Sequence, residues 1–374
     1  MFTAGALTYR TGHHAPLDGL RAVAILLVVG YHWLPGLLPH GLMELGWSGV
    51  DLFFVLSGFL ITGQLLDERG TPGWYGRFLM RRALRILPLY YAALLLFVAY
   101  ARLSNDPEAQ ATLSGMPWFW TYTPNLWFSF AGMPGDLGLL NHFWSLGVEE
   151  QFYLLWPLVI AFVPLRIIPG IALGGIVLGS ALRHLHPVVP FAYHFPLAHA
   201  DGLLCGGVIA WAIRHQRAIL ARWWTPMFII TTVGLLLLVV GTAPPSIHHP
   251  LFIRWAPTLF PLLFASLLCA TFSNGEYWQR YWQRPLSISL LAFIARYSYG
   301  IYVVHWPLLL IRDRIQNTLM EAGLPASSTG TVFTLLYLPS ALLLAMLSYH
   351  TLEQPFLRLK RHFRVQGTAV QATR

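Results

Sequence analysis

The sequence predicts an all-α polytopic membrane protein, a bundle of about ten transmembrane helices with both termini in the cytoplasm. Three observations carry that prediction. Of the 374 residues, 56 % belong to the apolar and aromatic set and only 10 % are charged, whereas a soluble domain carries about 25 % charge to cover its surface. The apolar residues come in repeated blocks of about 20, the length at which a helix crosses a bilayer. Lys and Arg are shared unequally between alternate connections, as cytoplasmic anchoring requires. The net charge of +9 would point to a nucleic-acid partner only if the basic residues gathered on one surface. They are scattered between apolar blocks, so no nucleic acid is expected.

A hydropathy window of about 19 residues places spans near 17–38, 46–66, 83–101, 143–163, 167–182, 199–213, 223–242, 253–273, 289–311 and 330–350. An even number puts both termini on one side. With the N-terminus inside, the outer connections hold only Arg102, Arg183, Arg254, Arg312 and Arg314, and Arg21 and Arg296 fall within or at the ends of spans; the other 17 of the 24 Lys and Arg lie inside. The chain thus divides into a cytoplasmic segment 1–16, a membrane domain 17–357 and a basic tail 358–374 that anchors the topology and touches anionic lipid. Residues 1–16 lack a cleavable signal pattern, so the first span is expected to serve as its own targeting signal. Cys205 and Cys269 fall inside apolar segments, which argues against a disulfide framework. The longest non-apolar stretch, Arg102 to His142, is expected outside.

Polar residues inside spans are costly and each needs a reason. Span 1 carries Asp18, Arg21 and His32. Arg21 and His32 are eleven residues apart, about 20° from alignment with a rise of about 16 Å, so they share one face, Arg21 toward the cytoplasm and His32 in the outer third. An interfacial Asp18–Arg21 pair is the plain alternative for Arg21. In span 2, Asp51 lies at a depth similar to that of His32 in an antiparallel neighbour, where a carboxylate could fix an imidazole tautomer. Ser57, six residues deeper, suits close packing better than nucleophilic chemistry. Before span 3, Arg82 and Arg85 are three apart and adjacent on a helix, with Arg81 beside them; guanidinium forks match phosphate oxygens, and positive-inside anchoring explains one or two of the three. Span 4 places Glu149 and Glu150 side by side in an apolar helix, with His142 and Tyr153 seven before and four after Glu149 on the same broad face. Span 9 aligns Ser298, Tyr302 and His305 as one polar stripe. No metal-ligand spacing and no dinucleotide or phosphate-loop fingerprint is present, and no resident cofactor is expected.

LDGLRA followed by His32, GVDLFFVLSGFLI, RRALRILPLYY, HFWSLGVEEQFY, YSYGIYVVHWP and TLEQP occur in an order that resembles the acyltransferase-3 family of integral membrane O-acyltransferases. The resemblance covers spans 1 to 4, 9 and 10. It does not extend over 165–285, a stretch left for acceptor specificity, nor to the esterase-like domain that many relatives carry after the last span. It implies transfer of an acyl group, often acetyl, from cytoplasmic acyl-CoA to a hydroxyl of a saccharide, glycoconjugate or other acceptor on the outer side of the cell inner membrane. It also implies essential roles for Arg21, His32, Arg82 and Arg85.

A hydroxyl acceptor needs a base, and a histidine near neutral pH suits that task. The expected division of labour is therefore His32 as base and Asp51 as its orienter. Arg82 and Arg85, with Arg81, would hold the donor's phosphates, and Arg21 would bind pyrophosphate or neutralise Glu149. His142, Glu150, Tyr153, Tyr302, His305 and Ser57 complete the polar interior. An acyl-enzyme on Ser57, a small secondary metabolite as acceptor, and a proton-coupled transporter are the alternatives. A scaffold or receptor would leave the loop arginines and Glu149 without a purpose. Intramembrane Asp, Glu, Arg and His also build proton relays, but the paired repeats of many transporters are absent.

Overall fold

The computed structural model describes residues 14–33, 44–104, 106–132 and 138–363. Arg10, Arg364 and Arg374 lie outside them, with most of segment 1–16 and the end of the tail, and so do the side chains of Arg312 and Arg314. Among the described residues the chain is helical and contains no strand. Each predicted span coincides with a long helix: α1 (Ala15–Trp33), α2 (Gly49–Glu68), α3 (Trp74–Leu103), α4 (Trp144–Phe162), α5 (Ile168–Leu185), α6 (Asp201–His215), α7 (Arg217–Gly241), α8 (Pro250–Ala270), α9 (Ser289–Glu321) and α10 (Ala326–Ser348).

Seven helical stretches are long and apolar enough to cross a membrane, and an eighth counts if Glu276–Leu286 and the start of α9, bent by 57°, form one span. The two helices outside that set are α4, with its pair of glutamates, and α6, whose 15 residues reach only about 22 Å. Helix α3 begins nine residues before its predicted start, because the polar turn ends at Gly73, which adopts the left-handed conformation (φ 66°) that favours glycine. Arg77, Arg81, Arg82 and Arg85 therefore stand on the extended helix and not in a loop. The described residues between 106 and 132 include the short helices Pro107–Thr112, Met116–Trp120 and Pro124–Ala131, and Phe119 and Phe128 are buried.

Small residues set the core. Helices α2 and α6 pack more extensively than any other pair. A Cβ on Gly58 would fall on the backbone carbonyl of Leu203, and one on Gly206 on that of Val55; with no apolar solvent difference to drive association, close backbone approach is what holds such helices together. Gly300 opposes Ala345 between α9 and α10 in the same way.

Polar contacts gather several connections at one end of the bundle. The Arg69 guanidinium donates to the carbonyls of Ala161 and Val163, each at 3.2 Å. Arg214 pairs with Asp67 at 2.8 Å. Arg81 donates to the carbonyl of Phe363 at 2.7 Å, and the His14 ring meets Phe272 edge-on with centroids 5.4 Å apart. The ends of α2, α4 and α6, residue 363 and the arginine-rich start of α3 thus share these contacts, and His14 joins the start of α1 to the end of α8.

Candidate active site

Five helices contribute polar side chains to one cleft. Arg21 from α1, Ser57 from α2, Arg82 and Arg85 from α3, Ser145, Glu149 and Tyr153 from α4, and Ser298 and Tyr302 from α9 line it. Arg21 thus meets Arg82 and Arg85, distant from it in sequence, on one surface. Arg21 bonds Asp18 at 3.0 Å, the partner that the plain alternative gives it. Arg82 stacks over the Tyr153 ring, 5.3 Å from its centroid. Arg81 turns the other way: its guanidinium grips both carboxylate oxygens of Glu68 at 2.7 Å. Arg81 is not among the residues that line the cleft; Glu68 and the Phe363 carbonyl hold its guanidinium.

The glutamates separate by side as consecutive helical residues must. Glu149 faces the cleft and accepts a hydrogen bond from the Tyr153 hydroxyl at 2.6 Å. The same hydroxyl bonds Ser57 Oγ. Glu150 is not on the cleft wall.

Beyond the cleft, three histidines cluster. The His305 ring lies 5.3 Å from that of His32 and 5.0 Å from that of His142, centroid to centroid. A carbonyl oxygen can only accept, so each contact with one fixes a tautomer. His32 Nδ1 donates to Val28 O at 2.9 Å, leaving Nε2 as its basic atom. His305 Nδ1 donates to Tyr302 O at 2.5 Å, and His142 Nε2 donates to Val303 O at 3.2 Å. None of the three lies on the cleft wall. Between cleft and histidines stands Tyr302, whose hydroxyl donates to His142 O at 2.7 Å and meets Ser145 Oγ at 2.5 Å.

Asp51 does not orient His32. Its Oδ1 lies 3.1 Å from His199 Nε2, and both side chains are buried. The cause is the glycine-mediated approach of α6: Gly202 sits against Phe54 and the Asp51 carbonyl, so His199 fills the space beside the carboxylate, while a backbone carbonyl of α1 takes the orienting role at His32.

A second buried network accompanies it. Arg183, expected in an outer connection, is fully buried and bidentate to Asp201 at 3.1 and 2.8 Å, and Thr258 donates to Asp201 at 2.6 Å. These residues tie α5, α6 and α8 together within 165–285, where the sequence offers no family motif. The signal that was there is the run His199, Ala200, Asp201 in an apolar surrounding. Among the described residues no cluster of His, Cys, Asp or Glu has the geometry to hold a metal.

The acyltransferase family model, described as an acyltransferase domain, matches residues 15–350. The chain belongs to this family. Among its relatives in that family are a peptidoglycan O-acetyltransferase of Listeria monocytogenes, 29 % identical over 91 % of this chain and 55 % of its own length. A Bacillus subtilis protein named provisionally as a peptidoglycan O-acetyltransferase is 29 % identical over 93 % of this chain and 56 % of its own length. A Staphylococcus aureus protein named provisionally as an O-acetyltransferase is 26 % identical over 95 % and 59 %. The chain thus spans little more than half the length of those relatives. No solved structure matches it.

Proposed function

We propose that this acyltransferase transfers an acetyl group from acetyl-CoA, docked from the cytoplasmic side of the inner membrane, to a hydroxyl of a cell-wall saccharide on the outer side. The observation that carries the proposal is the convergence of Arg21, Arg82 and Arg85 on one cleft within a chain of the acyltransferase family. Three cations on one cleft wall suit a diphosphate and a ribose phosphate, since guanidinium to phosphate bonds are charge-assisted. The cytoplasmic assignment of that end and the placement of both termini inside rest on the arginine asymmetry, and the ten-span topology rests on hydropathy. The names of the relatives favour peptidoglycan as the acceptor over a small secondary metabolite, and family membership weighs against a proton-coupled transporter.

In this reading the donor's slender pantetheine arm passes along the cleft toward Tyr302. His32, its tautomer set by Val28, accepts the acceptor's proton at Nε2. His305 and His142 keep the surroundings of that imidazole polar. Purified protein should bind acetyl-CoA by calorimetric titration and acetylate soluble peptidoglycan fragments. Failure to bind acetyl-CoA in lipid nanodiscs, with the fold intact by circular dichroism, overturns the donor assignment; acetylation of no saccharide overturns the acceptor assignment.

A further inference from the structure

The hydroxyl chain in the cleft has a direction. Tyr153 carries one phenolic proton, and it is given to Glu149 Oε1 at 2.6 Å. The phenol oxygen can then only accept from Ser57, so the Ser57 proton points at Tyr153. Serine O–H to tyrosine O–H to carboxylate is a path by which Glu149 draws the proton from Ser57, the arrangement of nucleophile, intermediary and acid anchor that activates hydroxyls elsewhere. Arg82 over the Tyr153 ring favours negative charge on the phenol as the proton moves. Ser57 lies on the wall shared with the three arginines, and no histidine does. A thioester lying along the cleft therefore meets the Ser57 oxygen before it meets an imidazole.

We infer that Ser57 is a transient acyl carrier, so that transfer runs in two displacements; the inference rests on the acetyl-CoA reading above. In the first, Ser57 Oγ attacks the thioester carbonyl and the carbon–sulfur bond breaks. The Ser57 proton passes through Tyr153 to Glu149, and the thiolate leaves and takes a proton from water. In the second, the acceptor hydroxyl attacks the Ser57 ester and its proton passes through intervening water to His32, the carbon–oxygen bond to Ser57 breaks, and Glu149 returns its proton through Tyr153 to Ser57. His32 then releases its proton to solvent. No oxidant, reductant or further reactant is required.

Isotope exchange tests this without an acceptor. The full chain in nanodiscs, given acetyl-CoA and radiolabelled free CoA, should exchange label into acetyl-CoA, because only a covalent acyl-enzyme makes the first displacement reversible on its own. Acid-quenched protein should carry acetyl on the peptide containing Ser57, stable to neutral hydroxylamine; in Ser57→Cys the acetyl should become hydroxylamine-labile as a thioester. Tyr153→Phe keeps the serine but breaks the chain, and should slow exchange by about 10²-fold or more. Protein that acetylates saccharide but shows no exchange, or carries its acetyl elsewhere, overturns the carrier role and leaves the function standing. Protein that neither binds acetyl-CoA nor acetylates saccharide overturns both.

Discussion

Asp51 Oδ1 and His199 Nε2 face each other at 3.1 Å with both side chains 1 % exposed, and the pair joins α2 to the turn before α6. Removing one member of a buried pair strands the other without compensation, a loss of about 3–5 kcal/mol. His199→Ala and Asp51→Asn should therefore lower the thermal unfolding midpoint of the purified protein markedly, whereas His32→Ala should shift it little. An unfolding midpoint for His199→Ala equal to wild type would show that the pair holds nothing together.

The α2–α6 contact makes a sharper prediction about a single carbon. At Gly58 a methyl group meets the Leu203 carbonyl, a backbone atom that cannot move aside, whereas at Gly174 on α5 it meets nothing within 4 Å. Overpacking of this kind costs about 1–3 kcal/mol, and an unhindered glycine to alanine change within a helix gains about 0.5–1 kcal/mol. Gly58→Ala should unfold earlier and Gly174→Ala should not. Equal midpoints for the two variants would refute the close approach of these helices.

Loss of the His32 imidazole should abolish turnover, since base catalysis contributes about 10²–10⁴-fold. The hydrogen bond to Val28 leaves Nε2 free, and glutamine, whose amide accepts no proton, should not restore activity. His32→Ala and His32→Gln should retain acetyl-CoA affinity because His32 is off the cleft wall. Steady-state acetylation with the purified variants checks the first statement and calorimetry the second.

The arginines divide by partner. Arg82→Ala with Arg85→Ala should weaken acetyl-CoA binding far more than saccharide binding, and lysine at both positions should recover only part of it, because the planar fork is missing. Arg81 is already engaged by Glu68 and the Phe363 carbonyl, so Arg81→Ala should act on stability at the end of α2 more than on affinity. An Arg81→Ala loss of acetyl-CoA affinity as large as that of the double variant would return Arg81 to the phosphate site.

Hydropathy made the positions of the helices legible, since the apolar blocks and the long helices coincide from α1 to α10, and helical spacing made the cleft legible in part. Ser298 and Tyr302, one turn apart, do share its wall, and so do Glu149 and Tyr153. Spacing within one helix carries no information about which neighbour a face will meet. By that measure Asp51 and His32, at similar depth in adjacent helices, are natural partners, yet glycines at 58, 202 and 206 draw α6 against α2 and give the carboxylate to His199. Arg183 was hidden for the same reason. A charge near the end of an apolar block reads as an anchor until its distant partner Asp201 is in place.

The cleft and the histidines are stacked along the bundle, with Tyr302 and Ser145 hydrogen-bonded between them, and this arrangement bears on sidedness. Along α1, Arg21 and His32 stand about 16 Å apart, with the arginine on the cleft wall and the histidine beside His305. A donor held by the arginines and an acceptor held near the histidines therefore approach from opposite ends. In sealed vesicles of known orientation, acetyl-CoA supplied on the face that bears the arginine-rich start of α3 should acetylate saccharide confined to the other face. Acetyl-CoA mixed only with the saccharide should not, because Arg21, Arg82 and Arg85 line the cleft on the side of the histidines away from the acceptor. Should product form only when donor and saccharide share a compartment, the cleft opens to one side alone and transfer through the bundle is wrong.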